Sequence, residues 1–98
     1  MEVDFADEDL DRLETDPRAT ARHGQNVDRA YRKALQAIRA AADSRDLYAT
    51  RGLRLERLQG KRSHQCSMRL NDQWRLIVEF VGADARMSVR VVEIVDYH

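Results

Sequence analysis

Apolar residues change their spacing once along this 98-residue chain, close to Gly52. Before that point they recur at helical intervals. Leu10 and Leu13 share one face of a predicted helix over residues 7–14, and Asp7, Glu8 and Asp9 supply the negative charge that a helix N-terminus favours. Pro17 closes this segment, and residues 18–25 read as a loop around Gly24. The clearest helix spans residues 26–42, where Val27, Tyr31, Ala34, Leu35, Ile38, Ala41 and Ala42 form one apolar stripe. Its arginines and Lys33 are expected to face outward, with Asn26 as the N-cap. Ser44 is in position to cap a further short turn over residues 44–48, and residues 3–5 suggest a brief opening strand.

Beyond Gly52 the apolar residues alternate. Strands are predicted over residues 53–58, 66–70, 74–81 and 88–97, separated by a basic turn at 60–64 and a connection at 82–86. The last strand is apolar on both faces, which implies a central position. Helices followed by adjacent strands imply an α+β fold, with two N-terminal helices packed on one face of a mainly antiparallel sheet.

The register of the central hairpin follows from matching its apolar sets. With Cys66, Met68 and Leu70 inward on one strand and Trp74, Leu76, Val78 and Phe80 inward on the next, a three-residue loop of Asn71, Asp72 and Gln73 pairs Met68 with Leu76. A two-residue loop would bring the two sets out of phase, and a one-residue slip inverts every side chain. The three-residue loop sets Arg69 directly opposite Arg75 on the outer face. Like charges at such a pair are destabilising unless a counter-anion sits between them. Paired guanidinium forks match phosphate oxygens.

Charge sharpens this picture. The chain carries 17 basic and 17 acidic residues, yet residues 1–16 hold one Arg and eight acids, while residues 51–75 hold seven basic and two acidic groups. A basic middle between acidic ends suggests a localised anion-binding face, with Arg54, Arg57, Lys61, Arg62 and His64 as candidate RNA contacts. Cys66 alternates with Met68 and Leu70 and reads as core, as does Trp74; His23 reads as incidental. The lone cysteine excludes a cysteine metal cluster, and no metal or other cofactor is expected. The length leaves room for one domain over residues 1–98. An acidic opening without an apolar run, and the lack of an apolar stretch near the roughly 18 residues that span a bilayer, lead us to expect a cytoplasmic protein without membrane contact.

The sequence ends in Asp96, Tyr97 and His98, directly after the last strand. Metal-free RNA cleavage needs a base for the 2′-OH, an acid for the 5′ oxygen and cations for the phosphoryl group in transit. Arg69 and Arg75 are candidates for the cations, His98 for acid or base, Tyr97 for stacking or proton donation, and Glu56 for the base.

The runs Leu58-Gln-Gly-Lys-Arg62, Ser67-Met-Arg-Leu-Asn-Asp-Gln-Trp-Arg75 and Val92-Glu-Ile-Val-Asp-Tyr-His98 together resemble the HigB-type toxins, the plasmid-maintenance killer proteins of the RelE/ParE superfamily. The likeness extends to Tyr31-Arg-Lys-Ala34 in the long helix. It implies a RelE-like fold, mRNA cleavage in the ribosomal A site, and neutralisation by a HigA-like helix-turn-helix antitoxin, with operator DNA bound only through that complex. It also implies that Arg75, Asp96, Tyr97 and His98 are tied to activity, with Arg69 in the same hairpin. Some relatives carry a histidine where this chain has Glu56. The alternatives are a superfamily member that poisons DNA gyrase, which would need neither the arginine pair nor His98, and a degenerate module that only binds antitoxin.

Overall fold

The computed structural model describes residues 1–20 and 23–96. Five strands form one sheet in the order β1-β5-β4-β3-β2, comprising β1 (Glu2–Phe5), β2 (Glu56–Arg57), β3 (Gln65–Arg69), β4 (Trp74–Val81) and β5 (Ser88–Asp96). β1 runs parallel to β5, and the other pairings are antiparallel. The helices α1 (Glu8–Thr15), α2 (Gln25–Ala40) and α3 (Ser44–Tyr48) pack on one face of this sheet. The expected α+β architecture is therefore present, and β5 is flanked on both sides as its two apolar faces require.

Local chemistry explains where each helix begins. The Asp7 side chain accepts from the Leu10 N–H at 3.0 Å, and three acidic residues occupy the first turn of α1. Asn26 does not cap α2. Gly24 does, at a φ of 106°, so the helix starts one residue earlier and lacks a side-chain cap. Likewise Asp43, not Ser44, caps α3, because its carboxylate reaches the Arg45 N–H at 2.9 Å. One residue of α2 departs from the outward expectation. Arg32 turns back to donate to the carbonyls of Leu13, Asp16 and Ala19, satisfying the open C-terminal end of α1 and the chain beyond it.

The expected strand over residues 53–58 is shorter than its pattern suggests. Arg51–Leu53 forms a 3-10 turn in which the Leu53 N–H bonds the Thr50 carbonyl, and Arg54 takes a left-handed conformation at φ 45°. Only Glu56–Arg57 pairs with β3. Leu53 and Leu55 are nevertheless both buried, so their apolar alternation reports burial without reporting strand pairing.

The core is a contiguous layer between the sheet and the helices. Leu13, Tyr31, Leu35, Ile38 and Leu47 meet Met68, Leu76, Val78, Val89 and Val91 across it. At its centre the wholly buried Tyr31 hydroxyl donates to the Leu10 carbonyl at 2.7 Å, joining α2 to α1.

The hairpin register is as the apolar matching predicts, with Met68 opposite Leu76 and Arg69 opposite Arg75. The residue 71–73 loop is organised by Asn71, whose side-chain oxygen accepts from the Gln73 and Trp74 N–H groups, each at 2.8 Å. On the other side of β4 the ladder slips by one residue. Ile77 pairs with Glu93 but Val78 pairs with Val91, leaving Val92 as a bulge. Val89 and Val91 thus point to the helices, and after the bulge Ile94 does so, while Glu93 and Val95 turn to the open face.

Tyr31→Phe removes the hydrogen bond that joins α2 to the Leu10 carbonyl and should cost about 1 kcal/mol in urea unfolding. Burial, reinforced by the carboxylates of Glu14, Asp11 and Asp7, pushes the Tyr31 phenol far above its ordinary range. The unfolded chain therefore releases this proton from about pH 10 while the native state retains it, so stability falls as pH rises beyond that value. In Tyr31→Phe that alkaline decline should be shallower. Separately, Asn71→Ala removes the acceptor for two loop N–H groups and should lower stability by about 1 kcal/mol or more, with Asn71→Asp recovering most of the loss because it keeps the acceptor.

Candidate RNA-binding face

Strand alternation assigns three rows to the face turned away from the helices. The first holds Arg69, Arg75 and Val95, and the second holds Glu56, Ser67, Ile77 and Glu93. The third holds Gln65, Glu79, Arg90 and Asp4. This face is not flatly solvated. Gln65, Ser67 and Ile77 are 8 %, 3 % and 2 % exposed, although no helix covers them.

The cover comes from the basic turn. Gly60–Arg62 is a 3-10 turn that brings Arg62 over the sheet. Arg62 Nε donates to Gln65 Oε1 on β3 at 2.8 Å, and its Nη2 donates to Glu93 Oε2 on β5 at 2.9 Å. Because β4 lies between those strands, the guanidinium spans it. Gln65 in turn donates from Nε2 to Glu79 Oε2 at 3.2 Å. The bulge at Val92 is what makes this possible, since without it Glu93 would face the helices. Lys61 and His64 are exposed on the same turn.

The arginine pair occupies the end of the face next to the hairpin loop. Arg69 Nη2 donates to Asp72 Oδ1 at 2.5 Å. Arg75 Nη1 donates to the backbone carbonyl of Asn71 at 2.6 Å. Asp72 is held below the usual carboxylate range, first by its hydrogen bond to Arg69 and that residue's charge, and further by the charges of Arg54 and Arg75.

The other residues singled out from the sequence distribute unevenly. Glu56 is exposed opposite Ser67, on the arginine face and one row from Arg69. Asp96 lies opposite Trp74, on the parity of the helix-covered face, and its Oδ2 accepts from Gln73 Nε2 at 3.0 Å. It ties the hairpin loop to the end of β5. Arg57 is set apart: it pairs with Cys66 on the opposite face, where its charge acts on Cys66 and Tyr48. The Cys66 thiol is buried and raised by that burial, as a core thiol is. Tyr97 and His98 lie outside the described residues.

One contact had no signal in the sequence. The His23 ring lies against Trp74, with centroids 4.1 Å apart and planes at 38°. The two come from distant segments, so neither spacing nor composition could have joined them. His23 also lines a cleft of about 700 Å³ with Leu10, Leu13, Arg18 and Ile94, between α1 and the end of β5. Among the described residues, no group of three or more His, Cys, Asp or Glu is placed to hold a metal ion, and no helix is long and apolar enough to cross a membrane.

This chain has relatives with the same organisation. The HigB-like toxin family model, described as the RelE-like toxin of the type II toxin-antitoxin system HigB, matches residues 3–98. Toxin HigB-1 of Vibrio cholerae serotype O1 is 31% identical over 85 residues, covering 87% of this chain and 90% of that protein. Among solved structures, the YoeB/ParE toxin from Agrobacterium tumefaciens superposes with a TM-score of 0.61 over the whole of both chains at 15% identity, a likeness of fold. With a family match across almost its full length and a sheet carrying the paired arginines, the chain belongs to the HigB-like toxins, the RelE-like toxins of type II toxin–antitoxin systems.

Proposed function

We propose that residues 1–98 act as one toxin domain that inhibits translation by cleaving mRNA in the ribosomal A site, as an endoribonuclease that uses the RNA's own 2′-OH. The observation that carries this reading is the cross-strand pairing of Arg69 with Arg75 on a sheltered sheet face. Such a pair is unfavourable by itself and becomes favourable around a phosphate.

In this mechanism Arg69 and Arg75 grip the scissile phosphate and stabilise the charge that builds on its oxygens. Glu56 takes the proton from the 2′-OH as that oxygen attacks phosphorus. The bond to the 5′ oxygen breaks, and His98 or Tyr97 returns a proton to the leaving oxygen, giving a cyclic phosphate and a free 5′-hydroxyl. Guanidiniums and proton carriers supply all the charge and protons these steps need, so the mechanism runs without a metal. Asp96 acts as a positioning residue, holding the loop against the end of β5. Arg54, Lys61, Arg62 and His64 meet phosphates flanking the cut, while Arg57 faces away and contributes little. The ribosome supplies the ordered message, in the cytoplasm. A HigA-like helix-turn-helix antitoxin neutralises the toxin, and operator DNA is contacted only through that complex.

The test is cleavage of a message in a reconstituted translation mixture. The protein should cut only when ribosomes are present, and Arg75→Ala, verified to be folded, should cut about 100-fold more slowly, the scale of losing one transition-state donor. If the intact protein leaves message and translation untouched, the nuclease reading is wrong, and inhibition of DNA gyrase is the next assay.

A further inference from the structure

The loop between β3 and β4 holds an acid where the proposed chemistry needs a phosphate. Asn71 braces this loop from inside, and its carbonyl anchors Arg75. Asp72 has no such bracing role. Its side chain is 98% exposed and meets Arg69 Nη2 through one carboxylate oxygen. Arg75, the cross-strand neighbour of Arg69, adds its charge to the same carboxylate.

We propose that Asp72 is an internal counter-anion that fills the phosphate position of the Arg69–Arg75 pair in the free toxin and is displaced when RNA arrives. This deepens the reading of the face as an RNA site and rests on it. A carboxylate and a phosphate offer a guanidinium the same acceptor geometry, so one stands in for the other. The placement answers two physical problems. Without an anion, the register forces Arg69 and Arg75 to repel one another. With a buried or bidentate anion, the corner would be closed to substrate. An exposed contact through one oxygen neutralises the pair while staying weak enough to yield.

The competition also sets a threshold. A lone anion must compete with a tethered carboxylate, whereas an RNA strand also engages the exposed Lys61 and partly exposed Arg62.

Binding of a fluorescent 2′-O-methyl RNA hexamer, read by anisotropy at several salt concentrations, tests this. Asp72→Asn should bind about fivefold more tightly at low salt, the gain shrinking as salt screens the site. Asp72→Glu, which keeps the charge, should remain near wild type. Arg69→Ala added to Asp72→Asn should remove the gain. In the cleavage assay, Asp72→Asn should lower KM with little change in kcat. If Asp72→Asn lowers thermal stability but leaves RNA affinity unchanged, while Arg69→Ala and Arg75→Ala weaken binding, Asp72 is a structural neutraliser and the displacement proposal is overturned, with the RNA face intact. If Asp72→Asn, Arg69→Ala and Arg75→Ala all leave binding unchanged, the RNA reading of the face falls, and this proposal with it.

Discussion

Everything functional in this fold hangs on the pairing of Met68 with Leu76. That contact is an apolar requirement, because the thin core between sheet and helices leaves no room for a polar side chain at either position. Once it is met, strand alternation leaves Arg69 and Arg75 no freedom, and they stand opposite each other on the far face. The arginine pair is therefore a by-product of core packing, and the proposed mechanism makes use of it. A one-residue slip would bury both guanidiniums and expose the core, so folding and the site share one register.

Around that constraint, two local irregularities shape the face. The bulge at Val92 reverses the alternation of β5 and turns Glu93 towards Arg62. The left-handed turn at Arg54 interrupts the approach to β2, so that only Glu56–Arg57 pairs with β3. Each departs from ideal strand geometry on or beside the face proposed to bind RNA, in keeping with the general clustering of bulges and unusual backbone conformations near sites. On the opposite side of the sheet, Tyr31 and Arg32 of α2 fasten α1 through backbone carbonyls, so the helical layer is held by polar contacts as well as by its apolar stripe.

Much of this was legible in the sequence because it depends on period. The long helix, the hairpin register, the central place of the last strand and the α+β class all follow from apolar spacing. What escaped depends on contacts between distant segments or on single backbone angles. The caps lie two residues and one residue earlier than the pattern suggests, at Gly24, whose φ of 106° ends the preceding loop, and at Asp43, whose carboxylate reaches the Arg45 N–H. The shortened strand at 56–57 kept its alternation because Leu53 and Leu55 are buried without pairing. Apolar runs cannot reveal a bulge, so neither the turn of Glu93 towards Arg62 nor the contact of His23 with Trp74 was foreseeable. Among the candidate RNA contacts, Arg57 looked equivalent to Arg54 in composition, and only the register with Cys66 separates them.

The central claim is that RNA lies on the arginine face of the sheet. Amide chemical shifts of the isotope-labelled protein, followed during titration with a non-cleavable single-stranded RNA, test it most directly. The account predicts the largest shifts at Arg54, at residues 60–64 and along the hairpin from Arg69 to Arg75, with α2 and Tyr48 unmoved. Shifts concentrated on the outer surfaces of α1 and α2, with the hairpin silent, would contradict it.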